Sequence, residues 1–270
     1  MDKLYYRLRT YRSVVGMNIK EILAYNFWFW SQVGAHVLLT IAYISFWKAL
    51  YSERDSIAGL DMQQTLTYII LARIVMPLVQ WGYTQEFGFW IREGTISSEL
   101  LRPVDFQERI YIGHLTRTFV SLAQQLIVVG SLALFVFKIS LPTDPLVWLS
   151  FLISLLLGCS ILFCFDWIFG CIAFYSTEVW GLQVVRGSVL LLFSGVLLPL
   201  TMLPTQLQTI AKWLPFAQSV SIPVSILSGM TPLSNLGSIW LQQLAWLSVM
   251  FILSRLMFNF SVRKITVQGG

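Results

Sequence analysis

Arg73, Asp166 and His36 are ionisable residues set in strongly apolar stretches of the chain. A charge in hydrocarbon is costly unless it is paired or faces water, so each is a candidate either for function or for pairing. Arg73 lies near the middle of its apolar segment and Asp166 towards one end of its own. Counting from the segment ends, a direct Arg73–Asp166 pair leaves a depth gap of about 9–14 Å at about 1.5 Å per residue, part of which snorkelling closes. His36 lies nearer the level of Asp166, within range of a hydrogen bond. Pairing within or between subunits is a simpler role for these three than contact with a substrate.

Other chemistries find little support. His36 and His114 lack metal-ligand spacing and no HExxH pattern occurs, so no metal site is expected. Cys159, Cys164 and Cys171 share one apolar run without a CxxC pattern, which suits small packing residues. No GxxxxGK[ST] loop is present to cradle nucleotide phosphates, so P-loop ATP hydrolysis and any resident cofactor are not expected. The acidic residues outside the apolar runs alternate with arginines, and no second polar cluster answers them. That argues against acid–base or metal-assisted transferase chemistry.

The elements that must carry these residues are set by lipid. Hydrophobic residues make up 56% of the 270 and charged residues 11%, with a mean hydropathy of +0.71. Six apolar segments are each long enough to cross about 30 Å of hydrocarbon as a helix: Phe27–Leu50, Met62–Gln85, Leu115–Val136, Leu146–Phe174, Leu182–Leu203 and Ile239–Phe260. The expectation is an all-α polytopic membrane protein forming one domain over 1–270. With both termini inside, 13 Lys and Arg fall on the inner side, Arg186 among them, against 4 outside, which places both termini in the cytoplasm. The net charge of +5 then reflects topology and anionic lipid, not nucleic acid. Within the charged stretch 1–26, Leu4, Leu8, Tyr11, Val15 and Ile22 fall on one helical face, as in a helix lying in the interface; no cleavable signal peptide is expected.

Between the second and third segments, Glu86–Arg117 concentrates charge yet keeps an apolar side in Phe87, Phe89, Trp90, Ile91, Ile96, Leu100 and Leu101. Gly94 allows a sharp change of direction, and Pro103 ends a short helix that begins near Thr95. Such a helix either docks in another protein's groove or rests on headgroups. After the fifth segment, Pro199, Pro204, Pro215, Pro223 and Pro232 forbid a continuous helix. The apolar residues between them suit two half-helices, Thr205–Trp213 and Ala217–Leu227, in a re-entrant segment over 204–232; a flat interfacial hairpin is the alternative.

The run from Ile91 to Val104 resembles the cytoplasmic coupling loop of ABC type-2 permeases, with Arg92, Glu93, Gly94, Thr95, Leu100, Leu101 and Pro103 at the matching positions. Ser194-Gly195, Pro199, Leu203-Pro204 and Leu214-Pro215 resemble that family's proline-punctuated segment between its last two spans. The resemblance implies the membrane half of an ATP-driven exporter in the inner cell membrane, built from two permeases, the second being the same or a different chain, and a cytosolic ATPase dimer that binds ATP and Mg²⁺. It further implies that Glu86 and the stretch from Arg92 to Pro103 sit in the ATPase's surface groove. The cargo expected is amphipathic or lipid-like. A membrane component of an uptake system, or a non-transporting scaffold, shares the same logic.

Overall fold

A computed structural model describes residues 2–264 except Tyr25, Trp81, Val136, Lys138, Ile139, Ser140, Thr177 and Glu178, with the side chains of 2–8, 21–30, 32, 33 and 135 also outside the description. Twelve α-helices are formed by the described residues: α1 Asp2–Ala24, α2 Asn26–Leu50, α3 Met62–Val75, α4 Pro77–Gln80, α5 Thr84–Arg92, α6 Ile96–Leu100, α7 Phe106–Phe135, α8 Pro145–Ile172, α9 Trp180–Phe193, α10 Thr205–Lys212, α11 Ser221–Leu227 and α12 Leu236–Val262. Among the described residues, three spans are long and apolar enough to cross a bilayer unbroken, Phe106–Leu134, Pro145–Ile172 and Leu233–Val262, and the two bent pairs α3 with α4–α5 and α10 with Pro215–Leu227 raise that number to 5. The chain is a multi-pass helical membrane protein.

Local sequence explains where helices start. Asp61 caps α3 by accepting the Gln64 amide at 2.7 Å, while Gln64 Oε1 accepts the Asp61 amide at 3.1 Å, a reciprocal capping box. Asp144 accepts the Leu146 amide at 2.8 Å, with Pro145 in the first turn of α8 where its missing N–H costs nothing. The most enclosed of the long helices is α8, which packs against α12, α11 and α5.

Two expected spans are corrected. The second does not run unbroken from Met62 to Gln85. It stops at Met76, where Pro77 has no N–H to continue the ladder, and the axis turns by 49° between α3 and α4–α5. The fifth, expected to reach Leu203, leaves helical geometry after Phe193; Gly195 takes φ +83 and Pro199 follows. The third span begins earlier than expected, at Phe106. The half-helices between the last two spans appear as α10, a 3-10 turn Pro215–Gln218 and α11, bent by 73°. The bundle closes around this segment: Gln243 Nε2 of α12 donates to Ser154 O at 3.1 Å and to Gln218 O at 2.8 Å, and Gly158 of α8 leaves room for the Ser219 backbone.

Candidate coupling elbow and the charges inside the bundle

The turn between α5 and α7 is built on Gly94. Its φ of +69 lies in the left-handed region that a side chain makes costly, and it is the middle one of the three residues between the end of α5 and the start of α6 at Ile96. Ser97 Oγ donates to Gly94 O at 2.8 Å and Ser98 Oγ to Thr95 O at 2.7 Å, which fastens the first turn of α6. Asp105 then starts α7 by accepting the Glu108 amide at 2.9 Å.

This elbow has an outer and an inner face. Arg92, Glu93, Gly94, Thr95, Leu101, Arg102 and Pro103 are exposed, Leu101 at 85%. Among the described residues, neither Arg92 nor Glu93 forms an ion pair. Ile96 is buried, and Leu100 packs beside it on the core. Of the residues singled out in the sequence, Leu100 and Glu86 therefore turn inward. Glu86 accepts from Arg117 Nη1 at 2.8 Å, tying α5 to α7. Glu99 takes Arg102 at 2.7 Å and also Arg109. Asp105 accepts from Arg255 Nη1 of α12 at 2.8 Å. Partial burial works against ionisation of Asp105, yet the Arg255 hydrogen bond, the Glu108 amide and the Arg255 charge hold its carboxyl below the usual range.

Beneath the elbow lies a raft of aromatic rings. Phe87 meets Trp167 edge-on at 5.0 Å and Phe106 at 5.8 Å, and Phe106 stacks on Phe258 at 5.7 Å. Gly170 leaves room for the Phe87 ring, so α5, α7, α8 and α12 share one set of contacts. From α1, Tyr11 donates to Glu108 at 2.8 Å and Asn18 Oδ1 accepts from Arg117 at 3.3 Å, docking that helix on α7 beside the elbow.

Inside the bundle, the expected partners of Asp166 are replaced. It meets neither Arg73 nor His36; Arg186 of α9 donates to both its oxygens, Nη2 to Oδ2 at 3.0 Å, and both side chains are shielded, at 2% and 0% exposure. Arg186, which the charge count places among the topology-setting residues, lies in the core. His36 instead meets Gln80 Nε2 at 3.2 Å and Gln125 Nε2 at 2.9 Å. Arg73 stacks its guanidinium over Tyr43 at 4.5 Å. Of the prolines, Pro199 precedes a 3-10 turn at Leu200–Met202, Pro204 caps α10 and Pro215 opens the turn before α11.

No curated protein matches the chain. A family model described as an ABC-2 family transporter protein matches residues 37–269, and the elbow, the helical bundle and that match place this chain in the ABC-2 family, as a membrane component of an ABC transporter.

Proposed function

We propose that this chain is the permease subunit of an ATP-driven exporter for an amphipathic or lipid-like molecule, and that a cytosolic ABC ATPase drives it through the Gly94 elbow. Family membership supports the permease role. The observation that carries the coupling is the two-sided elbow: a charged outer ridge at Arg92–Thr95 with the apolar Leu101 beside it, and an inner face locked on the aromatic raft. α5 ends at this elbow and α7 starts from it, so a push on α6 displaces the second and third spans together. The Tyr11–Glu108 and Asn18–Arg117 contacts add α1 to the moving unit.

In this reading the elbow and both termini face the cytoplasm of an inner-membrane protein, two permease copies or two different chains pair, and the ATPase dimer holds ATP and Mg²⁺. The α10–α11 segment closes the outer end of the route. The export direction rests on the resemblance of the elbow and the proline-broken segment to exporters of this type. The test is charge reversal, Arg92→Glu with Glu93→Arg, in a permease co-expressed with its ATPase. Loss of co-purification and of permease-dependent ATP hydrolysis, with membrane insertion unchanged, is the expected result. Transport by a reconstituted permease without any ATPase contradicts it.

A further inference from the structure

Within the spans, Arg73 and Arg186 face one deep carboxylate, and it is already taken. Asp166 is engaged through both oxygens by Arg186. Arg73 lies about 18 Å along α3 from the Asp61 cap, half-buried, and no carboxylate among the described residues reaches it. Its contacts are soft: the Tyr43 ring at 4.5 Å and the Met76 sulfur at 3.3 Å, while its Nε is buried without a hydrogen-bond partner. A cation–π contact and a thioether offset only part of the cost of a cation at this depth.

A second copy of this chain has no carboxylate to offer there. Of 13 acidic residues, Asp166 is the one set deep in an apolar span. Glu86 and Glu108 stand in α5 and α7, the helices flanking the elbow, and already accept from Arg117 and Tyr11. The missing counter-ion must come from outside the polypeptide.

The same seam shows where it would travel. α2 and α3–α4 run antiparallel, and seven residues from Tyr43 and from Arg73 stand His36 and Gln80, joined at 3.2 Å. Seven residues along the unbroken α2 is about 10 Å, so two polar pairs follow one another along one inter-helix seam. Arg73 is partly exposed and Gln80 exposed, so each station presents one group to an occupant, while His36 is buried and bonded to Gln80 and Gln125.

We infer that Arg73 receives the anionic headgroup of the amphiphile this permease moves, a phosphate, carboxylate or sulfate on an apolar tail, and that the His36–Gln80 pair is the next polar station on its path. The inference rests on the permease reading and narrows its cargo to anions. A guanidinium can bond such a group through two parallel N–H donors, which a single-point cation cannot.

The purified chain in phosphatidylcholine nanodiscs, without ATPase or nucleotide, is titrated with dodecyl phosphate and with dodecylphosphocholine, its zwitterionic control. Wild type should bind the anionic probe about tenfold more tightly or better. R73K should keep a reduced preference and R73Q should lose it; R73M gives the same readout should R73Q not fold. Doping the discs with phosphatidylglycerol separates the sources. Competition assigns the site to bilayer phospholipid, and persistence of dodecyl phosphate binding assigns it to a single-chain anion; both support an anion site. Equal affinity for the two probes in wild type, absence of dodecyl phosphate binding, or a preference retained by the charge-neutral variants overturns the inference. Because no ATPase is present, such a failure leaves the elbow reading untouched, and failure of the elbow variants leaves the anion site untouched.

Discussion

Asp166 and Arg186 meet at matched depth on either side of one turn: Asp166 is six residues before the end of α8 at Ile172, and Arg186 six residues after the start of α9 at Trp180. The pair is fully shielded, so removing one partner strands a charge. Asp166→Ala should destabilise the protein by about 3–5 kcal/mol, whereas the double change Asp166→Leu with Arg186→Leu should come close to wild type. Thermal unfolding in detergent distinguishes them; equal losses for the single and double variants would show that the pair is not acting as a unit.

The break in the second span leans on the same arginine. A Cβ on Gly82 would lie 2.6 Å from the Arg186 guanidinium carbon. Gly82→Ala should therefore cost about 1–3 kcal/mol through overpacking. Most of that loss should vanish in the Asp166→Leu, Arg186→Leu background, a coupling that a double-mutant cycle reads directly.

Neighbouring leucines of the elbow should behave oppositely. Leu101 is 85% exposed and Leu100 packs on the core. Leu101→Asp should leave the unfolding midpoint unchanged and abolish ATPase stimulation. Leu100→Asp should lower the midpoint before any effect on a partner can be read, since it puts a charge against apolar groups.

Asp105 sets an acid limit on the elbow. Its carboxyl is held below its ordinary value when folded, burial opposing and the Arg255 and Glu108 bonds prevailing. A depressed carboxylate stabilises the fold fully above the unfolded-state value near about 4 and progressively less as pH falls through the folded value. Wild type should lose stability more steeply than Asp105→Asn below about pH 4. Because the side chain is about a third exposed, at 36%, the difference will be modest. Parallel acid limbs for the two proteins would remove Asp105 from the account.

Backbone-limited features could be read from the sequence, and packing-limited ones could not. Gly94 and Pro103 bracket α6 because one supplies a left-handed turn and the other stops a helix, both properties of a single residue. Pro204 and Pro215 flank α10 for the same reason, whereas Pro223 sits in the first turn of α11, where its missing N–H costs little. Pro77 carried the same signal for the break in the second span, but the surrounding apolar run hid it. Arg186 was missed differently: counting charges by side treats an arginine near the end of an apolar segment as a surface group. Its matched distance from the α8–α9 turn was there to be counted, and would have paired it with Asp166 ahead of His36 or Arg73. Which of Leu100 and Leu101 faces outward depends on the aromatic raft, assembled from four helices far apart in the chain.

The claim that the elbow receives the driving force is tested most directly by cross-linking from Glu93→Cys. The native Cys159, Cys164 and Cys171 are all buried, so an exposed cysteine at 93 is the reactive one among the described residues. In the assembled transporter, a short bismaleimide should join position 93 to the ATPase in high yield, and the yield should change when ATP is added. Absence of that product, while Ser234→Cys at the opposite end of the bundle does cross-link to the ATPase, would contradict it.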